Sequence, residues 1–342
     1  MAGDKWLYGF EELSREHNDL VGKKCANLGE LTRMGMRVPA GFALSVKAYQ
    51  RFLYETGAEQ EIRRYVTRYA NDSLNLSQLT AASEGIREIV ESKEIPGEMA
   101  ELIASRYLEL TRKSDTPNMA VSVRSAGPVS HPGQYETYLN VKGVTDLLDK
   151  VIKVWSSTFN PRSLAYRAKK ALPLENDPIG VAVLGMINAR AAGVTLTADP
   201  NTGDHSKIIC EANWGLGESV VSGRTTPDSF VLDKQSLDIL LRKLGDKEFC
   251  ILCTEMGVTE EEVPLEKRSC YCLSDEEVKE VAHQGKSIEN YFNGIPQDIE
   301  WAISNDLPKG NSLFFLQTRP AIIAEKKSVT DTILDMVMSR KS

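Results

Sequence analysis

The segments Asp298-Ile299-Glu300-Trp301 and Leu316-Gln317-Thr318-Arg319 decide how this chain reads. Each lies in a β-rich run, Asp298 to Ile303 and Leu313 to Gln317. Side chains alternate faces along a strand, so Asp298 and Glu300 share one face and Gln317 and Arg319 share another. If the two strands form an antiparallel hairpin, a single register serves both couples: Glu300 faces Gln317 and Asp298 faces Arg319. Four polar groups then converge. A carboxylate and an amide oxygen suit Mg²⁺, which keeps several waters and shares nucleotide phosphates, and an adjacent guanidinium can neutralise a transferring phosphoryl group. The same pattern also fits a solvated sheet face with a cross-strand ion pair.

Three further segments carry possible phosphate chemistry. Ala120-Val121-Ser122-Val123-Arg124-Ser125-Ala126-Gly127 reads as a strand ending in an arginine. The loop after it, Pro128-Val129-Ser130-His131-Pro132-Gly133-Gln134-Tyr135-Glu136-Thr137, offers glycines and hydroxyls to phosphate oxygens, or is a plain surface turn. Val21-Gly22-Lys23-Lys24-Cys25-Ala26-Asn27 places a glycine and two lysines ahead of a helical pattern, which suits either an anion at a helix N-terminus or an exposed turn. Trp214-Gly215-Leu216-Gly217-Glu218 combines a glycine turn with a possible helix start.

Working outward, the first 110 residues are mainly helical in pattern, with amphipathic stretches at Ser45 to Tyr54 and Glu59 to Tyr69. From Ala120 the texture changes to short β-rich runs, at Ala120 to Val123, Tyr138 to Val141, Gly180 to Met186, Val194 to Thr197, Ile208 to Cys210 and Ser229 to Leu232. One helix is predicted over Val144 to Lys170. Another is predicted to open at Ser274-Asp275-Glu276-Glu277, an N-cap with an acidic first turn, and to run to about Tyr291. The fold class is α+β, with a hinge near residue 190.

The 342 residues, 42% hydrophobic and 26% charged, are enough for about two packed units and exclude a fibrous or disordered chain. Forty-one basic against 48 acidic residues give a net charge of −7, so neither a nucleic-acid nor an anionic-membrane partner is expected. The amino terminus lacks the basic and apolar regions of a secretory signal, and the longest apolar run, Ile179 to Ile187, falls far short of the about 20 residues of a membrane span. A cytoplasmic location is expected. Cys250, Cys253, Cys270 and Cys272 make C-x-x-C followed by C-x-C. Both runs read as strands, where residues three apart face opposite sides, so buried reduced thiols are expected rather than a zinc site.

Taken in order, the segments above, with Val38-Pro39-Ala40-Gly41-Phe42, Glu136-Thr137-Tyr138-Leu139-Asn140-Val141, Gly193-Val194, Asp199-Pro200, Thr226-Pro227-Asp228 and Gln317-Thr318-Arg319-Pro320, resemble the ATP-binding domain of phosphoenolpyruvate synthase and pyruvate phosphate dikinase. The resemblance runs from about residue 18 to 322. It implies an ATP-grasp fold of two subdomains with nucleotide bound between them, residues 1–190 and 191–325, followed by a tail at 326–342. By motif, Lys24 and Arg124 would contact phosphates and act in transfer with Arg319. Ser125, Gly127, His131, Gly133, Gln134 and Thr137 would cover the phosphates, Leu184, Met186 and Asp298 would complete the ATP site, and Glu300 and Gln317 would hold Mg²⁺.

In such dikinases a histidine on a swivelling domain attacks the β-phosphate of ATP and AMP is released. The four histidines here, His17, His131, His205 and His283, lack the glycine-rich Thr-x-His setting of that domain. The chain is therefore similar to the ATP-binding subunit of the split aryl-phosphorylating enzymes such as phenylphosphate synthase. A histidine-bearing phosphocarrier subunit is the expected partner, and a phenol or aryl alcohol the final acceptor. The alternatives are a phosphoenolpyruvate synthase subunit acting on pyruvate, or a nucleotide-sensing subunit without chemistry. Leu184-Gly185 departs from the Gln-Lys usual in the synthases, and the tail carries Val329, Ile333, Met336 and Val337 near one helical face, which fits a docking segment or, more simply, a frayed terminus.

Overall fold

Val121, Val123, Val181 and Val183 are fully buried, and their alternation with Ser122, Arg124, Ala182 and Leu184 builds the first sheet. The computed structural model describes residues 5–69, 75–114, 116–128, 135–175, 177–255 and 257–323. It divides into two compact units: Met1–Ile187 with Cys253–Thr259, and Asn188–Leu252 with Glu260–Ser342.

Unit 1 holds a five-stranded sheet in the order β1-β2-β5-β3-β4, formed by β1 (Leu7–Gly9), β2 (Gly41–Leu44), β3 (Val121–Ala126), β4 (Thr137–Val141) and β5 (Gly180–Gly185). Every pairing is antiparallel. Its helices are α1 (Asn18–Val21), α2 (Lys23–Arg33), α3 (Val46–Glu55), α4 (Ala58–Val66), α5 (Leu76–Glu91), α6 (Gly97–Lys113), α7 (Val144–Ser156) and α8 (Pro161–Lys169). The valine face of the sheet, with Phe42 and Leu44, packs against Tyr49 and Phe52 of α3, Ile86 of α5, Ile103 of α6 and Trp155 of α7. Trp155 stacks on Tyr49 at 5.4 Å and meets Phe52 at 4.9 Å, ring contacts each worth about 0.5–1.5 kcal/mol beyond area burial. The opposite face, with Ser122, Arg124, Ala182 and Leu184, is the one on which α2 lies.

Unit 2 is built on a six-stranded sheet, ordered β13-β12-β6-β7-β8-β9 and antiparallel throughout. Its strands are β6 (Ala189–Leu196), β7 (Lys207–Trp214), β8 (Asp228–Asp233), β9 (Ile239–Lys243), β12 (Gln297–Ser304) and β13 (Leu313–Pro320). The helices of unit 2 are α9 (Glu218–Val221), α10 (Leu265–Arg268) and α11 (Asp275–Tyr291), and a separate two-stranded ladder joins β10 (Phe249–Thr254) and β11 (Gly257–Glu262), of which Cys253–Thr259 belongs to unit 1. Ser274 and Glu277 close a capping box at the start of α11, the serine oxygen accepting from Glu277 N and the glutamate accepting from Ser274 N at 2.9 Å. The helix crosses the sheet at Gly285, where a Cβ would lie 3.5 Å from the methyls of Thr195 and Thr197. On that face the Trp301 indole donates to Thr195 Oγ1 at 2.9 Å.

Several sequence expectations are corrected. The single helix predicted over Val144 to Lys170 is broken after Ser156 by a tight turn at Ser157–Phe159, and α8 restarts with Asn160 as N-cap, accepting from Ser163 N at 3.0 Å, and Pro161 in its first turn. Cys270 to Leu273 is not a strand but the turn that leads into α11. Cys250 and Cys253 do lie on one strand, the first buried and the second exposed, and all six cysteines are free thiols. Strands β1, β2, β9 and β11 are additions that the sequence reading did not include. The tail at 326–342 lies outside the described residues. Among those residues no helix is long and apolar enough to cross a membrane.

Candidate functional site

The predicted residues fall in two groups, one in each unit. In unit 1, Arg124 sits opposite Thr137 on β4 and Ala182 on β5, while Ser122 sits opposite Leu184. Arg124, Thr137 and Leu184 therefore share the α2 face, and Ser125, one residue on, has its side chain on the other. Thr137 is exposed and Arg124 half-buried. Leu184 is buried, its carbonyl accepting from Ser122 Oγ at 3.5 Å, whereas Met186, just past β5, is half-buried.

The end of β3 meets the start of α2. Lys23 N donates to Gly127 O at 2.9 Å, and Asn18 Nδ2 to Pro128 O at 3.2 Å. Gly22, the N-cap, has φ +81°, and a Cβ there would sit 1.9 Å from Ala126 O, so only glycine permits this approach. Lys24 is the second residue of α2, and Gly127 lies against the helix's positive end. His131, Gly133 and Gln134 lie outside the described residues.

In unit 2 the predicted register is observed. Asp298 pairs with Arg319 and Glu300 with Gln317, and a bulge follows between Glu300 and Trp301. The Arg319 guanidinium donates twice to Asp298 Oδ2, from Nε at 2.9 Å and Nη2 at 2.7 Å. Gln317 is 8% exposed, and its Oε1 is buried with no hydrogen-bond partner among the described residues.

The row continues across the sheet: Glu300 lies opposite Val194, and Val194 opposite Glu211. Gln317, Glu300, Val194 and Glu211 thus share the face away from α11. Burial raises the Glu211 carboxyl above its usual range, and no hydrogen bond or ion pair reaches it among the described residues. Sequence reasoning missed Glu211. Its signal was the alternation of buried Ile208, Cys210 and Ala212 on β7, which sends Glu211 to the side of Glu300 and Gln317.

The glycine turn after β7 closes one end of this face. A Cβ on Gly217 would lie 3.6 Å from Ala192 Cβ, and Gly215, at φ +71°, would carry one 2.3 Å from Ile251 O. Asn213 braces the turn, donating to Ser219 Oγ at 3.1 Å and Phe249 O at 2.9 Å. Asp228 of the Thr-Pro-Asp segment has a structural job. It accepts from Lys247 Nζ at 2.6 Å, Gly245 N at 2.9 Å and Cys272 N at 2.8 Å, and both partners of the ion pair are fully buried.

The donor set beside Glu300 fits Mg²⁺. An amide oxygen buried without a partner next to a carboxylate is what an oxygen-preferring ion would satisfy. Among the described residues no group of three or more His, Cys, Asp or Glu forms a metal cage. Mg²⁺ does not require one, because one or two carboxylates with substrate phosphates suffice.

The sequence pattern of the family described as "Pyruvate phosphate dikinase, AMP/ATP-binding domain" matches residues 18–340. A probable phosphoenolpyruvate synthase of Archaeoglobus fulgidus is 37% identical over 96% of this chain and 43% of its own length. The phosphoenolpyruvate synthase of Pyrococcus furiosus is 32% identical over 96% of this chain and 44% of its own, and a probable one of Methanothermobacter thermautotrophicus is 34% identical over 92% and 46%. The chain thus spans less than half the length of these relatives.

Proposed function

The chain belongs to the pyruvate phosphate dikinase AMP/ATP-binding domain family, and on that footing we propose that it binds MgATP and carries out the ATP-cleaving half of a dikinase-type phosphotransfer. The observation that supports this reading most is the register of β12 and β13, which aligns Glu300 with Gln317 and Asp298 with Arg319 on one face. Residues of unit 1, Lys24, Arg124 and the backbone about Gly127, bind and orient the phosphates. In unit 2, Glu300 and Gln317 hold Mg²⁺, which when bound neutralises phosphate charge. Arg319, held by Asp298, is oriented to stabilise the charge that develops on the phosphoryl group.

In this reading the acceptor is a histidine supplied from outside these 342 residues, on a partner subunit, and His17, His131, His205 and His283, none of them in a glycine-rich Thr-x-His setting, are not given that role. Its nitrogen attacks the β-phosphorus, the bond to the α-phosphate oxygen breaks and AMP leaves. Water then removes the outer phosphate as inorganic phosphate, leaving phosphohistidine. In this reading a phenol or aryl alcohol is the final acceptor. The name phosphoenolpyruvate synthase, carried by the relatives, favours pyruvate as a second reading. The test is incubation with ATP labelled at the β-phosphate, with and without a histidine-bearing partner. Acid-labile, alkali-stable label on the partner with AMP release is expected. Such label on this chain alone would refute the assignment.

A further inference from the structure

Strand β4 is the edge strand of the first sheet, and its only ladder is a short one. The pairs with β3 are Val121↔Val141, Val123↔Tyr138 and Arg124↔Thr137, and the register steps between the first two. Asn140, at φ +57°, lies within that step. A short, interrupted ladder at a sheet edge leaves its terminal pair to fray. That terminal pair is Arg124 with Thr137, whose exposed side chain shares the α2 face with the arginine.

The opposite face supplies what the ladder lacks. Tyr138 sits opposite Val123 of the buried valine face, so Tyr138 and Glu136 point toward the helices while Thr137 between them points away. Arg87 of α5 donates from Nη1 to Glu136 Oε1 at 2.6 Å, and the Tyr138 hydroxyl donates to Glu136 Oε2. Arg87 is itself fixed, its Nε donating to Glu91 Oε1 at 3.3 Å. The Glu136 N–H donates to Ser157 Oγ at 3.2 Å, and that serine donates to Val154 O at 2.7 Å, which seats it on the end of α7. Tyr135 adds a tie of its own, its hydroxyl donating to Asp177 Oδ2 at 2.7 Å. With both carboxylate oxygens and the backbone N–H engaged, the side chain and the peptide of Glu136 are held together, and the half-buried ion pair is screened less than one on the surface. Arg87, Glu136 and Tyr138 lie on the face away from Arg124, so what they fix is the backbone that carries Thr137.

We propose that Glu136 is a positioning residue for nucleotide binding: clamped from the helix side by Arg87, Tyr138 and Ser157, it fixes the start of β4 so that the Thr137 hydroxyl stands beside Arg124 to meet the phosphates. The inference rests on the reading of the α2 face as a phosphate site. A hydroxyl held in place before the ligand arrives loses less freedom on binding than one at a fraying strand end. Glu136 touches no nucleotide; it acts through Thr137.

The test is a double-mutant cycle read by MgATP affinity. The full chain is titrated with MgATP in a calorimeter, each variant well below its own melting transition. Arg87→Ala is expected to weaken binding about tenfold, and Arg87→Lys, which keeps the charge, to regain part of the loss. Tyr138→Phe, which keeps the ring and removes only the donor, is expected to show a smaller loss in the same direction. Thr137→Val, which removes the hydroxyl, is expected to weaken binding as well. Because the clamp acts through that hydroxyl, Arg87→Ala combined with Thr137→Val is expected to bind no more weakly than the weaker single variant. Lys93→Ala, which breaks a different ion pair of unit 1, to Glu61 at 2.7 Å, is expected to match wild type. Wild-type affinity in both Arg87→Ala and Tyr138→Phe, or losses that add in the double variant, overturns the positioning role and leaves the MgATP reading intact. Absence of binding by wild type overturns both.

Discussion

Glu300 and Gln317 lie directly opposite each other on β12 and β13, and the register steps immediately after them, between Glu300 and Trp301. A bulge at this point bends the strand and re-aims its side chains without disturbing the pairs on its far side. Trp301 turns to the α11 face and is anchored there by Thr195. Glu300 and Gln317 stay together on the other face, and the amide oxygen of Gln317 is left without a hydrogen-bond partner among the described residues.

Gln317→Leu separates a ligand from a structural residue. A buried amide oxygen without a hydrogen bond contributes nothing to folding, so its replacement by an apolar group of similar size is expected to change stability by less than about 1 kcal/mol, or to raise it. The same variant is expected to weaken Mg²⁺-dependent nucleotide binding. Denaturant melts and nucleotide titrations on one preparation check both halves. A large loss of stability with unaltered nucleotide binding would reverse the assignment.

On the proposed reading, Arg319→Ala is expected to lower phosphotransfer turnover by on the order of 10²-fold or more while nucleotide affinity changes little, because the guanidinium would act on charge that develops during transfer. It also leaves the Asp298 carboxylate unpaired in a half-buried setting, at a cost of about 1–2 kcal/mol. Arg319→Lys is expected to recover little, since the two-donor contact to Asp298 needs the planar fork. Steady-state kinetics with direct binding measurements distinguish a kcat effect from a KM effect.

The Asp228–Lys247 pair is the strongest stability prediction. Both side chains have no exposed surface, and Asp228 takes two backbone donors as well. Lys247→Met strands a buried carboxylate and is expected to destabilise unit 2 by about 3–5 kcal/mol, readable as a shifted urea midpoint. The double change Asp228→Asn with Lys247→Met is expected to regain part of that loss.

In unit 1, burial pushes the Glu136 carboxyl up, but hydrogen bonds and charge from Arg87, with a bond from the Tyr138 hydroxyl, outweigh it and hold it below the usual carboxylate range. A depressed folded value means that the unfolded chain takes up this proton first. The stabilisation is therefore present above the unfolded carboxyl range, near about pH 4.3, and is lost as pH falls through the folded value. Arg87→Ala is expected to be less stable than wild type at pH 7, with the gap narrowing toward pH 3. Thermal melts across that range check the sign.

Much of this was legible because strand alternation and helix caps are local signals. The facing of Asp298 with Arg319 follows from spacing alone, and Ser274 with Glu277 marks the start of α11 three residues apart. Signals set by tertiary contact were not legible. β9, with exposed Leu240 and Leu241, and β1, only three residues long, are strands because a neighbour pairs with them. The break before Pro161 was readable from the Asn-Pro pair, yet the apolar spacing runs on through it. Cys270 to Cys272 mimics a strand in composition, but Asp228 takes the Cys272 N–H and draws the segment into a turn. Glu211 gained meaning only when β6 set it one strand beyond Glu300.

The central claim, that this chain binds ATP through a metal held by Glu300 and Gln317, is tested most directly by titrating ATP into the purified protein in a calorimeter with and without Mg²⁺, for wild type and Glu300→Gln. The predicted result is saturable binding by wild type that depends on Mg²⁺ and is weakened at least about tenfold in the variant. Binding of equal strength in the absence of Mg²⁺ or in the variant, or no binding at all, would contradict it.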